Sequence, residues 1–214
     1  MNKITLRNTM PRVFACRDDI VSDTWRQDIT LERGHVYLIE AASGTGKSSL
    51  CSYLIGYRND YDGEILFDDR DIRSLKRFEW TRLRQRSLSY VFQELRLFPE
   101  LTAWENVEIK NRLTSHKPAA EIESWFERLG IADRRDTKLA HMSFGQQQRV
   151  AFMRALCQPY DFILADEPVS HLDRVNSAIM AELLLSEARQ QGAGIIVTSI
   201  GHHMDLPYEK TFRL

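Results

Sequence analysis

The chain has 214 residues, 43% of them hydrophobic, and a formal net charge of −1. That length allows one well-buried core, and the near-neutral charge argues against a general electrostatic grip on nucleic acid, so no nucleic-acid partner is expected. No apolar run approaches the roughly 18 residues of a membrane span, Met1-Asn2-Lys3-Ile4-Thr5 lacks a signal-peptide core, and Cys16, Cys51 and Cys157 show no metal-ligand spacing and fit a reducing cytosol.

In chain order, strands are expected at residues 4–6, around Val13 and Phe14, and at 29–31, with Gly34 in a turn before the apolar strand Val36–Glu40. Ala41-Ala42-Ser43-Gly44-Thr45-Gly46-Lys47-Ser48-Ser49 follows, and then an apolar helix with Leu50, Tyr53, Leu54 and Ile55. Strand, glycine turn and helix is the context of a P-loop. Gly44 and Gly46 let the backbone curl its N–H groups toward phosphates, Lys47 reaches the β and γ oxygens, and the Ser48 hydroxyl can ligate magnesium. Ala41 stands where the pattern has its first glycine, which weakens the motif without breaking it provided φ there stays negative.

Asp62-Gly63 reads as a turn before a strand at 64–67, and a helix over 76–86 precedes a strand at 88–92. From 93 to 140 the pattern becomes helical. Ile122, Trp125, Phe126 and Leu129 share one apolar face and Gly130 supplies a stop. Ser143 and Gly145 open a further helix, where free N–H groups and the positive end of the helix dipole make a phosphate contact. The apolar run 162–165 ends at Asp166, Glu167 and Pro168, which places both carboxylates at a sheet edge. One can hold a hydrated metal while the other orients a water for in-line attack on a terminal phosphate. A helix over 172–190 and a strand over 194–198 complete the chain. Strands alternating with helices imply an α/β fold with a largely parallel sheet and phosphate sites at strand carboxyl ends.

Taken together, these motifs resemble the nucleotide-binding domain of an ABC ATPase, and the resemblance covers nearly the whole length. Tyr90-Val91-Phe92-Gln93 is similar to the Q-loop, residues 142–149 to the family signature, 163–167 to the Walker B strand and Ser170-His171-Leu172-Asp173 to the D-loop. The resemblance implies a P-loop NTPase fold with an N-terminal antiparallel β region and an inserted helical subdomain over 93–140, in one domain spanning 1–214. It implies ATP and Mg2+ as cofactors. Ser43, Gly44, Thr45, Gly46, Lys47, Ser48 and Ser49 would hold the phosphates, Ser48, Gln93 and Asp166 the metal, and Glu167, Gln93 and Lys47 would carry the chemistry. Phe14 is the first candidate to stack on adenine and Trp25 the second; packing in the β core is an equal alternative for Phe14. Ser143, Gly145, Gln146 and Asp173 would complete the site of a second subunit in a head-to-tail homodimer, or in a heterodimer with a paralogous ABC domain.

The segment 71–93 looks most like the subgroup that serves lipoprotein release, macrolide-type export and cell division. That likeness implies an integral membrane permease-type subunit as partner and a cytoplasmic chain, peripheral on the inner or plasma membrane. Leu95, Leu97, Phe98 and Leu101 would line the groove that receives a short helix from the partner, or else belong to the subdomain core. The basic cluster Arg73, Lys76, Arg77, Arg82, Arg84 and Arg86 is expected to be a solvated helix face, with contact to lipid headgroups as the minor reading. Two further departures point to slow hydrolysis: Phe144 replaces the glycine after the signature serine, and Ser199 stands where the family has its switch histidine. His202 and His203 lie just downstream as substitutes. An ATP-binding regulatory subunit with little turnover, and a soluble non-transport ABC ATPase, remain the alternatives.

Overall fold

The computed structural model describes residues 1–17 and 20–214. In chain order the elements are strands β1 (Lys3–Pro11), β2 (Ile29–Glu32) and β3 (Val36–Glu40), helix α1 (Lys47–Leu54), strands β4 (Tyr61–Phe67) and β5 (Arg70–Asp71), helix α2 (Arg77–Arg86) and strand β6 (Leu88–Val91). Helices α3 (Ala103–Asn111), α4 (Ala119–Arg128) and α5 (Phe144–Leu156) follow, then strand β7 (Phe162–Asp166), helix α6 (Arg174–Gln191) and strands β8 (Gly194–Ser199) and β9 (Lys210–Arg213).

The strands form two sheets. Four antiparallel strands run in the order β2-β1-β4-β5, and five run in the order β6-β7-β8-β3-β9 with every pairing parallel. Side chains of the parallel strands alternate between two cores, because successive residues of a strand point to opposite faces. Ile163, Ala165, Ile195 and Val197 face the core built with α3, α4, α5 and α6, whereas Phe162, Leu164, Ile196 and Ile39 face α1 and the antiparallel sheet. Burial on both faces explains why these strands read as continuous apolar runs.

Helix starts follow from local chemistry. Thr102 and Ser143 each accept a bond from the backbone three residues on, and Glu105 and Gln146 reciprocate; Asp173 caps α6 through Asn176. Such caps satisfy otherwise free N–H groups, at about 1 kcal/mol each. Between residues 93 and 140 lie α3 and α4 with short 3₁₀ turns at Ala132–Arg134 and Leu139–His141. Ile122, Trp125, Phe126 and Leu129 are buried there, and Gly130 follows with φ +64°.

Three expectations are corrected. Residues 12–14 form a 3₁₀ turn and not a strand, because β1 ends at Pro11 and the chain turns toward the P-loop. Asp62 and Gly63 lie inside β4, where Gly63 (φ +81°) forms an irregularity opposite Asn8; a Cβ there would stand 2.2 Å from the Asn8 carbonyl oxygen. Asp166 and Glu167 are not at a sheet edge, since β7 has β6 and β8 on either side and the carboxylates stand at its carboxyl end.

Candidate functional site

The order of the parallel sheet brings the carboxyl ends of β3, β8 and β7 side by side. The turn after β3 curls through Gly44 (φ +81°) and Gly46 (φ +102°), conformations that L side chains rarely adopt. Gly46 is needed for space as well, because a Cβ there would lie 2.8 Å from Phe14 Cε2 and 3.1 Å from Trp25 Cζ2. Trp25 is buried and donates its indole N–H to the Thr45 carbonyl at 2.8 Å, while Thr45 Oγ1 donates to the Ala42 carbonyl at 2.9 Å. Ala41 keeps a negative φ, is buried, and donates its N–H to the Ser199 carbonyl at 2.9 Å. A cavity of about 300 Å³ opens over this turn and the start of α1, lined by Ser43, Gly44, Gly46, Lys47, Ser48 and Ser49 with Phe14, Gln93, Glu167 and Ile200. The free N–H groups at the start of α1 make this an anion-binding cradle.

Lys47 is the pivot of the site. Its ammonium lies 2.6 Å from Asp166 Oδ1, 2.7 Å from Glu167 Oε1 and 3.2 Å from Gln93 Oε1. Burial disfavours its charge, but the two carboxylates outweigh burial and hold its pKa above the ordinary lysine value. Asp166 is 4% exposed and also accepts from Thr198 Oγ1 at 2.6 Å and Tyr90 Oη at 3.0 Å. Glu167 sits at φ +47°, in the left-handed region, with its N–H tied to the Thr198 carbonyl at 3.0 Å. Strain of this kind costs about 1–3 kcal/mol and collects at functional sites.

The oxygen donors suit a hard cation. Ser48 is exposed to the cavity, Gln93 and Glu167 line it, and Asp166 lies behind Lys47. Glu167 Oε1 is buried and has no directed hydrogen bond, only the ion pair to Lys47. No cluster of three or more His, Cys, Asp or Glu occurs among the described residues. Oxygen donors of this kind fit Mg2+, which needs one or two protein oxygens beside phosphate and water.

Of the expected phosphate contacts, Thr45 turns inward to Ala42, and the Ser49 hydroxyl accepts from Arg58 at 3.1 Å. Phe14 is half-buried at the cavity wall, whereas Trp25 is spent on the P-loop and presents no free face. Ser143, Gly145, Gln146 and Asp173 do not line the cavity; the first three open α5 and Asp173 caps α6. There Ser143 Oγ accepts from Gln146 N at 3.3 Å, and a Cβ on Gly145 would lie 3.3 Å from Leu172, so glycine lets the loop before α6 close on the helix. Phe144, 45% exposed, packs edge-on against His171 with ring centres 4.5 Å apart.

Ser199 does not offer its hydroxyl to the cavity. It is buried and donates to the His202 carbonyl, at the position where the family resemblance implies a switch histidine. Ile200 takes the lining position, and His202 and His203 are exposed outside the cavity, His203 against Tyr208. The roles of four residues escaped the sequence reading, which offers Trp25 only as a second adenine candidate and Tyr90 only as part of the Q-loop segment. Tyr90 and Thr198 bond Asp166, Trp25 braces the P-loop, and buried Gln148 of α5 donates to the Pro168 carbonyl at 2.8 Å. Only Thr198 left a usable signal, as the polar end of an apolar strand, and it pairs in register with Asp166.

Comparison with known proteins agrees with this geometry. The chain matches the family described as ABC transporter over residues 26–170. It is 32% identical to the ABC transporter ATP-binding protein YtrE of Bacillus subtilis over 184 residues, covering 81% of this chain and 80% of that protein. It is 37% identical to the macrolide export ATP-binding/permease protein MacB of Marinobacter nauticus, covering 80% of this chain but 27% of that longer protein. Among solved structures, the dimeric post-hydrolysis state of the ATP-binding cassette MJ0796 bound to ADP and Pi superimposes with a TM-score of 0.73 at 28% identity, covering 92% of this chain and 87% of that one. The α/β architecture is that of a P-loop NTPase, and the chain belongs to the ABC transporter family.

Proposed function

We propose that this chain is the ATP-binding subunit of a transporter-type complex, a single nucleotide-binding domain over residues 1–214 with 93–140 as its helical subdomain. The observation that carries this reading is the Lys47 ammonium held 2.6 and 2.7 Å from Asp166 and Glu167 beside a glycine cradle. A phosphate-binding cation, a carboxylate for a hydrated metal and a carboxylate for a water thus share one point. On ATP binding, Lys47 turns from the carboxylates to the β and γ phosphates, the cradle N–H groups hold their oxygens, and Phe14 offers its ring to adenine. Ser48, Gln93 and Asp166 would hold Mg2+, which when bound neutralises charge on the phosphates. Glu167, released from Lys47, orients the attacking water.

Ser143, Gly145, Gln146 and Asp173 lie apart from this cavity, which supports a head-to-tail dimer in which one α5 start meets the other subunit's phosphate. The MJ0796 cassette is dimeric, in support. The partner copy is a second copy of this chain or a paralogous one. The names of YtrE and MacB support an integral membrane permease-type subunit as the driven partner, with this chain peripheral on the cytoplasmic face. None of the described helices is long and apolar enough to cross a membrane.

Turnover is slow in this reading. Ala41 is accommodated without a positive φ, but Phe144 projects where the opposite phosphate approaches and Ser199 supplies no donor to the cavity. Loss of one transition-state donor costs about 10²–10³ in rate. The same observations favour, as the second reading, a regulatory subunit that binds ATP and closes with little turnover. Steady-state hydrolysis with a Glu167→Gln control separates the two: the first requires a slow rate that the variant abolishes while binding persists, and the second requires no rate above the variant. Recovery of a stoichiometric integral membrane protein by affinity purification from detergent-solubilised membranes tests the transporter assignment, and recovery of soluble factors alone would sink it.

A further inference from the structure

Asp166 does not line the cavity over the P-loop. It lines a smaller one, of about 50 Å³, whose walls include Ser48, Ser52, Tyr90 and Glu94. A polar space of this size is roomy enough for a water. Ser48 and Asp166, two of the residues expected to hold a metal, therefore share this space, and Tyr90 forms part of its wall.

Strand register explains how Tyr90 reaches the carboxylate. On β7, Leu164 pairs with Tyr90 of β6, and Asp166 pairs with Thr198 of β8. Leu164 and Asp166 lie on one face as alternate residues, so a side chain at position 90 must span a rise of about 7 Å along the strand. A phenol is long enough: Tyr90 Oη donates to Asp166 Oδ2 at 3.0 Å, and its ring is set edge-on against Phe92 with centres 4.2 Å apart. Burial, with Cys51 and Asp166 adding, pushes the phenol far above the ordinary tyrosine range, so it keeps its proton and donates. Lys47 and Thr198 both donate to the other oxygen, Oδ1, at 2.6 Å each. Among the described residues Tyr90 alone serves Oδ2. The outer torsion of an aspartate is soft, and here the two strands flanking β7 grip one oxygen each.

We propose that Tyr90 is a positioning residue of the nucleotide site, whose phenol fixes the plane of the Asp166 carboxylate beside Ser48 once Lys47 leaves it for the phosphates. This role rests on the reading that the chain binds ATP together with Mg2+. With Lys47 turned away, Oδ1 keeps Thr198 and Oδ2 keeps Tyr90, so each oxygen retains one donor and the carboxylate does not rotate. Tyr90 touches neither nucleotide nor metal and acts through Asp166 alone. Hydrogen-bond partners of a metal-holding carboxylate commonly contribute about 10–100-fold to metal affinity.

The test measures ATP affinity of the full chain by titration calorimetry, once in Mg2+ and once in EDTA, for wild type and Tyr90→Phe. The variant removes one oxygen and keeps the ring against Phe92, so the fold is retained. The ratio of the affinity in Mg2+ to that in EDTA should fall about tenfold in Tyr90→Phe, because the glycine cradle and Phe14 bind nucleotide without Tyr90. An unchanged ratio overturns the role, whether both affinities stay at the wild-type value or both drop together, the second being the mark of a merely structural residue. Wild type supplies the separate check on the underlying reading. If it binds no ATP, or binds equally well in Mg2+ and EDTA, that reading fails and the role of Tyr90 fails with it; if its affinity rises with Mg2+ and the variant's rises by the same factor, only the role of Tyr90 is lost.

Discussion

The indole N–H of Trp25 donates to the carbonyl of Thr45 at 2.8 Å, so a residue from the loop before β2 holds the middle of the P-loop. The bond is partly buried, shielded on the tryptophan side, where Trp25 is 2% exposed. Trp25→Phe keeps most of the packing and leaves the carbonyl unpaired, a loss of about 1 kcal/mol. ATP affinity measured by titration calorimetry should weaken accordingly, and an unchanged affinity would show that the P-loop holds its shape without this brace.

Thr198 acts on the site through Asp166. Its hydroxyl donates to Asp166 Oδ1 at 2.6 Å in a buried pairing across β7 and β8. Thr198→Val preserves shape but removes the donor, which costs about 1–3 kcal/mol in stability and leaves Asp166 to Lys47 and Tyr90. Thermal unfolding should shift downward, and kcat should fall more than KM rises if Asp166 serves the metal. An equal effect on both parameters would assign Thr198 a purely structural role.

Phe144 and His171 form an edge-on pair at the start of α5. Phe144→Gly removes the ring from the face proposed to meet a second subunit, at about 0.5–1 kcal/mol in helix stability. In a Glu167→Gln background the substitution should increase ATP-dependent dimer, read by light scattering. A decrease would mean that the ring makes the contact instead of obstructing it.

The cysteines divide by burial. Burial, with the Asp166 charge adding, pushes the Cys51 thiol up to about 12; burial also raises Cys157, while Cys16 is exposed. A native labelling experiment with maleimide should yield one adduct, at Cys16, and three after denaturation. Because the folded pKa of Cys51 lies above the unfolded value of about 8.5, the folded chain keeps a proton that the unfolded chain releases. Its contribution to stability is therefore complete below about pH 8.5 and is lost as pH rises through about 12. Chemical denaturation at pH 7 and pH 10 checks the sign.

Much of the architecture was legible because its signals are local. Lys47, Asp166 and Glu167 each follow an apolar run with its own end marker, and Ser143 and Gln146 announce a capping box three residues apart. Local pattern failed where the partner is distant in sequence. Phe14 reads as a strand residue, yet Pro11 ends β1 and residues 12–14 close a 3₁₀ turn over Gly46. Gly63 reads as a turn, yet it answers an irregularity at Asn8, 55 positions earlier, that lets β4 run through.

The sequence by itself determined the family, the α/β alternation and the residue types proposed to meet a phosphate, since periodicity, glycine turns and acidic strand ends depend on neighbours along the chain. Only the tertiary structure decided which of these groups touch. The parallel order β7-β8-β3 puts Thr198 between the P-loop strand and Asp166, and burial closes Ser199 onto the His202 carbonyl. The packing of α5 against the turn after Gln93 leaves Arg154 bonded to the Leu95 and Arg96 carbonyls. Such pairings depend on distances between elements far apart in sequence, and no local pattern encodes them.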